Sequence, residues 1–361
     1  PWALYESDPN WVPPLLMERH DHFNQKKNPY FADAEVSYWL AWRDGRCVGR
    51  VSAQIDQNHL RIHKDATGHF GFLEAEDDGE IFAALLDTAE DWLKDRGMKR
   101  IAGPFNFSIN DECGQLVDGF DTPPALMMGH GFPYADRRIA ARKYNKAKDL
   151  IAYSYALNHP LPKSAVAIID RVKRGGRLNL RKLNKKNFKA DLEVVLDIFN
   201  DAWSNNWGFV PFSETEINYV AANLKPLIVE DLVWIAEIDG KPAAMAVGLP
   251  DLNEVLPALN GRLLPFGWVK LLSRMLKVKS GGFRNGRMPL MGVRREYQSS
   301  IIGAALAYAV IDAVRENGHR MGFESAELSW ILEDNMPMRR MIETVGGKPY
   351  KTYRIYEKAL A

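Results

Sequence analysis

At 361 residues the chain exceeds the length of about 250–300 at which a single hydrophobic core usually divides, so two domains are expected. Apolar residues make up 46%, charged residues 26%, and the formal net charge is +1, an ordinary globular composition that argues against general nucleic-acid binding. No apolar run reaches the ~18 residues of a membrane span, no leader pattern opens the chain, and Cys47 and Cys113 lie too far apart for a metal or redox motif. The cysteine usage fits a reducing cytoplasm. The chain starts at Pro1, which leaves open whether a leader precedes it.

Val36 to Trp42 alternates, Arg43-Asp-Gly-Arg turns, and Cys47 to Ile55 alternates again, which predicts a β-hairpin. Gly68 to Glu74 reads as a third strand. Glu80 to Arg96 places Ile81, Leu85, Leu86, Ala89, Trp92 and Leu93 on one face of a helix closed by Gly97. Lys99 to Gly103 is a further strand, and Leu150 to Leu157 closes the half. Between them Pro104 to Pro124 mixes Asn106, Asn110, Asp111 and Glu112 with phenylalanines and glycines, and no regular structure is expected there. A loop that long is usually functional or mobile, although a chain of Asx turns and helix caps is the plainer alternative.

The second half repeats the plan. Leu178 to Leu183 is a strand, Asp191 to Asn205 and Glu214 to Leu224 are helices, and Val233 to Ile238 turns at Asp239-Gly240 into Ala243 to Leu249. The division falls within 158–176, giving lobes 1–160 and 161–361. Residues 171–189 hold nine Lys/Arg and no acid, with Phe188 the one aromatic, so a stacking platform for nucleic acid is not expected. From Gly261 to Arg287 there are seven Lys/Arg and no acid. Within it Trp268, Leu271, Leu272, Met275 and Leu276 recur at helical spacing, the pattern of a basic amphipathic helix lying in a membrane interface. A core helix with a solvated basic face is the alternative.

From Arg287 onward an apolar strand leads through Met291-Gly-Val into a small-residue loop, Gln298-Ser-Ser-Ile-Ile-Gly-Ala-Ala, that opens a long helix. A strand through Glu327-Leu-Ser-Trp-Ile-Leu-Glu-Asp-Asn, a helix after Asn335 and a final strand follow. Free N–H groups and the partial positive charge of a helix N-terminus can hold phosphate where bulky side chains are absent. Ile301 stands at a position where a β-branched residue resists positive φ and crowds such a ligand.

This order resembles the cofactor half of the GNAT acyltransferases, and the duplicated plan resembles their tandem, two-lobed forms. The stretches Pro104 to Gly114, Val117 to Pro124 and Glu327 to Asn335 resemble the bacterial ceramide synthase group. The resemblance implies an α/β fold with two GNAT-like lobes, each a mixed, mostly antiparallel sheet flanked by helices. It also implies N-acyl transfer from acyl-CoA or an acyl carrier protein thioester to an amine, a sphingoid base or other lipid amine. No metal is implied. The acyl donor would lie on Met291, Gly292, Val293, Gln298, Ser299, Ser300, Ile302, Gly303, Ala304 and Asn335. Asn106, Asn110 and Trp330 would bind the acceptor. Ile342 occupies the position where many GNAT enzymes carry the tyrosine that protonates the leaving thiolate. The base and acid roles therefore fall to Glu333, Glu327, Glu112 and Tyr297, with Tyr353 and Tyr356 as further acids and Cys113 as a less favoured nucleophile. Asp334 and Asn335 also read as helix caps. A cytoplasmic enzyme touching the inner membrane surface through residues 262–279 is the resulting expectation. Aminoacyl-tRNA-dependent transfer and non-catalytic acyl-carrier or lipid binding stand as alternatives.

Overall fold

The computed structural model describes residues 1–360. The first half comprises α1 (Leu16–His22), β1 (Ala34–Arg43), β2 (Arg46–Asp56), α2 (Gln57–His63), β3 (Thr67–Ala75), α3 (Gly79–Lys94), β4 (Arg100–Gly103), β5 (Gln115–Asp118), α4 (Tyr134–Ala141) and β6 (Asn145–Ala156). The second comprises α5 (Lys163–Arg174), β7 (Leu178–Lys182), α6 (Phe188–Trp203), α7 (Glu214–Leu224), β8 (Val233–Ile238), β9 (Lys241–Pro250), α8 (Gly267–Leu276), β10 (Asn285–Val293), α9 (Ile301–Arg320), β11 (Ser325–Leu332), α10 (Met336–Thr344) and β12 (Lys348–Ala359). The α/β class and the mixed sheet flanked by helices agree with the sequence reading.

Local chemistry accounts for the repeated plan. Both hairpins turn on Asp-Gly, with φ of 49° and 72° at Asp44 and Gly45 and 52° and 77° at Asp239 and Gly240. Two successive positive φ values make the tight turn whose twist matches antiparallel strands. Helix α7 starts in a capping box, the Ser213 side chain accepting from Glu216 N while the Glu216 side chain accepts from Ser213 N. Helix α3 buries Ile81, Leu85, Leu86, Ala89 and Leu93 against β2 and β3. Each leucine so removed from water contributes about 1.5–3 kcal/mol.

The two halves share one sheet, in the order β1-β2-β3-β4-β12-β6-β11-β10-β9-β8-β7, with β5 off this path on β12. The closing strands are exchanged between the halves. β12 pairs with β4 through Tyr356↔Gly103, and β6 lies between β12 and β11 through Ile151↔Thr352 and Ala156↔Ser325. The expected closure of the first half on its own last strand is corrected here. Alternation along 150–157 identifies a strand and says nothing about its neighbours. Pro104 to Pro124 is likewise not without regular structure. It contains β5 and a bridge between Phe105 and Cys113.

Candidate functional site

β10 and β11 run parallel and pair over only four positions, from Asn285↔Ser325 to Met288↔Leu328. Directly beyond, β10 shifts register against β9 between Arg287 and Leu290, and β11 shifts against β6 between Leu328 and Ile331. Bulges at the same level bend both strands and part them. Trp330 sits at this opening, with the Trp203 ring of α6 5.7 Å away and edge-on. The Trp203 indole N–H donates to the Met291 carbonyl at 3.0 Å, fixing α6 on β10. Gly292 permits that approach, since a Cβ there would stand 3.0 Å from the Ala202 Cβ. The result is a slot in the strand pairing, edged by two indoles.

The slot leads to the N-terminus of α9. Ser300 caps the helix, its hydroxyl accepting from Gly303 N at 3.0 Å and donating to the Tyr297 carbonyl at 2.6 Å. A Cβ on Gly303 would lie 2.1 Å from the Tyr297 carbonyl oxygen, so glycine is required there by close approach. The N–H groups of Ile301 and Ile302 have no protein partner. Gln298 anchors the loop by donating to the Val293 carbonyl at 2.8 Å. The objection raised by Ile301 does not hold. The positive φ falls on Ser299, at 61°, and the Ile301 side chain projects into solvent at the first helical position. Asn335 lies apart from this loop and caps α10, accepting from Met338 N at 3.3 Å.

The equivalent turn of the first half has the opposite charge. At the N-terminus of α3 the Asp78 side chain accepts from Glu80 N at 2.7 Å, and Glu76 and Asp77 stand beside it. Arg43, Arg46 and Arg138 bind these carboxylates. A helix end already capped by a carboxylate, with the neighbouring arginines taken up by its acids, offers phosphate less than the α9 end does.

Beneath the slot lies a buried polar cluster. Arg287 and Glu327 face each other at one register position of the parallel pair, with Nε to Oε1 at 3.6 Å, and both are almost fully buried. Ser329 and the Tyr350 hydroxyl donate to the two oxygens of Glu327. Arg287 donates to Ser329 Oγ at 3.1 Å and to the Leu126 carbonyl at 2.5 Å. The Tyr353 hydroxyl, also buried, has no hydrogen-bond partner. Burial, with the Glu327 carboxylate nearby, pushes the Tyr353 and Tyr350 phenols well above their usual range and keeps them protonated. Arg287, Ser329 and Tyr350 were not singled out in the sequence. The available signal was an arginine and a glutamate within two otherwise apolar strands.

The other candidates are held elsewhere. Glu333 follows β11 and binds Lys146 at 2.7 Å and Asp149 N at 3.1 Å. Glu112 accepts from Asn106 at 3.0 Å and faces Arg19 of α1 at 3.5 Å. Burial would raise its carboxyl, but Arg19 and Asn106 outweigh burial and hold it below the usual range. Asn106 also accepts from Phe72 N at 2.7 Å, and Asn110 donates to the Val210 carbonyl at 2.9 Å, tying the loop to both halves. Tyr297 stays in the α9 loop and is not among the groups around Glu327, while Tyr356 donates to Asp136. Burial raises the Cys113 thiol far above neutrality, which leaves it no thiolate to act with. Ile342 is buried under α10 and packs there.

Among the described residues, no group of three or more His, Cys, Asp or Glu is placed to hold a metal, and no helix is long and apolar enough to cross a membrane. No protein-family model matches the chain. It is 47% identical over 363 residues to a bacterial ceramide synthase of Caulobacter vibrioides (strain NA1000 / CB15N), spanning 100% of this chain and 93% of the relative. It is 44% identical over 361 residues to protein YghO of Escherichia coli (strain K12), spanning 100% and 91%. Among solved structures, a tandem GNAT protein from the clavulanic acid biosynthesis pathway superposes with a TM-score of 0.51 at 13% identity, over 91% of this chain and 84% of that one. This last likeness is one of fold. With the splayed strands, the capped loop and these relatives together, the chain belongs to the bacterial ceramide synthase family and has the fold of a tandem GNAT protein.

Proposed function

We propose that the protein moves a long acyl group from a thioester, acyl-CoA or an acyl carrier protein, onto the amine of a sphingoid base or related lipid amine, working at a membrane surface. The observation that carries this reading is the paired break in β10 and β11, set above a helix N-terminus with two free N–H groups. The loop carries the phosphate end of the donor, and the Trp203–Trp330 slot takes its apolar arm. The acidic turn before α3 favours the second lobe as the donor lobe. The ceramide synthase name of the Caulobacter relative supports the choice of amine.

Transfer forms a C–N bond and breaks the C–S bond. The amine loses a proton, and the departing sulfur takes one. Glu327, reached through Tyr350 and Ser329, is the carboxylate best placed to take the amine's proton, and the Tyr353 hydroxyl, without a partner among the described residues, is the group free to hand one to the departing sulfur. The tRNA-dependent alternative draws little support. Within the basic run Arg177, Arg181 and Lys182 pair with Asp239, Glu237 and Asp231.

Helix α8 supports the membrane part. Leu264, Phe266 and Leu276 are each 77% exposed, and Trp268, Val269 and Leu272 are exposed beside them. The helix keeps Leu271 and Met275 for the core and turns its other apolar side outward, with Arg262, Lys270 and Lys277 exposed around it. Apolar area and basic rim together fit an anionic bilayer. The preceding loop bonds to α1, with Leu16 N donating to the Gly261 carbonyl at 2.9 Å, and α1 carries Arg19 to Glu112. The patch is thus connected through α1 to the loop that carries Glu112. Purified protein should release free thiol from palmitoyl-CoA when sphinganine is added and yield the amide by mass spectrometry. Palmitoyl-CoA binding without turnover on any amine would defeat the proposal. The double variant Leu272→Ser/Leu276→Ser should bind anionic liposomes about tenfold more weakly or worse, from the lost apolar burial. Unchanged liposome affinity would remove the membrane contact.

A further inference from the structure

A second feature lies in the first half and takes no part in the chemistry above. α2, β3, β4 and the segment after α6 enclose a cavity of about 250 Å³. Its titratable lining is Asp56, His59, His63, Asp65, His69, Arg100 and Glu357, with Thr67, Ser108 and Asn206 also polar. His59 and His63 stand one turn apart on α2 with ring centroids 4.4 Å apart, and the His69 ring meets His59 edge-on at 4.6 Å. Asn206 to Val210 of the second half close the opposite wall, so the cavity forms where the halves meet, a common place for ligand sites.

These groups are not fully used by the protein. His59 binds Asp65 at 3.3 Å, and His63 binds the Phe209 carbonyl at 3.0 Å. His69 is 7% exposed, and while its backbone lies in the ladder between β2 and β4 its ring makes no hydrogen bond to any described residue. Asp56 caps α2 with one oxygen, which accepts from Asn58 N at 2.8 Å and His59 N at 3.3 Å, and its other oxygen accepts none. The His69 ring and the second Asp56 oxygen thus keep their hydrogen-bonding capacity for whatever occupies the cavity they line.

The charge selects the ligand. Arg100 is neutralised by Asp65 and by Glu357 at 3.2 Å. Burial holds His59 and His69 below the usual imidazole range, so both are neutral near pH 7. Burial also raises the Asp56 carboxyl to about 6, which leaves it mostly ionised there. A cavity with one unpaired carboxylate and neutral imidazoles disfavours phosphate and favours a small head rich in hydrogen-bond donors. Phe105 and Trp207 line the cavity and belong to the same apolar cluster as Trp330, so one apolar cluster connects the cavity with the slot.

Resting on the acyltransferase reading, we propose that this cavity holds the polar head of the acceptor, an amino-alcohol whose hydroxyls donate to Asp56 and His69 while its amine turns toward the slot. Two measurements separate this from the parent proposal. Histidine side-chain NMR with 2-amino-1,3-propanediol, the head alone, reads the cavity without any turnover. His59 and His69 signals should shift saturably, and Asp56→Asn or His69→Gln should abolish the shifts. Asparagine is an equally good helix cap, so Asp56→Asn keeps α2 and the fold. In the second measurement each variant should raise the KM for sphinganine about tenfold or more, the loss of one hydrogen bond to a charged or buried group, with palmitoyl-CoA affinity unchanged. Absent NMR shifts, or an unaltered sphinganine KM in both variants, would overturn the assignment. Failure to bind palmitoyl-CoA would instead strike the parent proposal and leave the NMR reading of the cavity intact.

Discussion

Tyr353→Phe is expected to make the protein more stable and far less active. Its hydroxyl is buried without a partner, and such a group costs about 1–3 kcal/mol of desolvation. Removing the oxygen leaves the ring in place among Leu116, Leu150 and Ile355, so stability should rise by about 1 kcal/mol, read as an upward shift of the thermal midpoint. A general acid typically contributes 10²–10⁴-fold, so kcat for amide formation should fall by about 100-fold or more. The opposite signs make the test sharp, because a merely structural tyrosine would move both quantities together or neither. A destabilised variant with full activity would end the role proposed for this hydroxyl. Tyr350→Phe should behave differently. Its hydroxyl donates to Glu327, so its loss leaves a buried carboxylate with one fewer partner and lowers stability.

The second large effect concerns Arg287 and Glu327. Glu327→Ala strands a guanidinium that is almost fully buried, and breaking a buried pair from one side costs about 3–5 kcal/mol. That is a large fraction of the 5–15 kcal/mol by which most proteins are stable, so a marked drop in the thermal midpoint is expected. The double change Arg287→Met/Glu327→Leu should recover most of the loss, since apolar residues of similar volume usually replace a buried pair at little cost. A folded, stable and inactive double variant would separate the carboxylate's chemical role from its structural one. If Glu327→Ala melts within a degree of the unchanged protein, the pair is not the buried tie that the geometry describes.

Particular residues show how far local patterns reach. Asp44-Gly45 and Asp239-Gly240 announced both hairpins, because two positive φ values in succession are a property of the residues themselves. The loop before α9 was legible as a helix start with small residues. Ile301 does not have to take a positive φ, since the backbone places it at Ser299, two residues earlier. Trp268, Leu271, Leu272, Met275 and Leu276 read as one side of an amphipathic helix, but which of them face core and which solvent depends on what packs there. Cys113 could not be dismissed by spacing. Its burial dismisses it as a reactive thiol.

The sequence by itself determined both hairpins, the longer helices, the duplicated plan and the family, because turns, caps and amphipathic faces are written within a few neighbouring residues. The tertiary structure alone decided which strands meet. It set β6 between β11 and β12, placed Arg287 opposite Glu327, left Tyr353 without a partner and gathered His59, His63 and His69 around one cavity. Each of these joins residues far apart in the chain or depends on burial. Register, long-range pairing and desolvation are properties of the packed whole, and no local period encodes them.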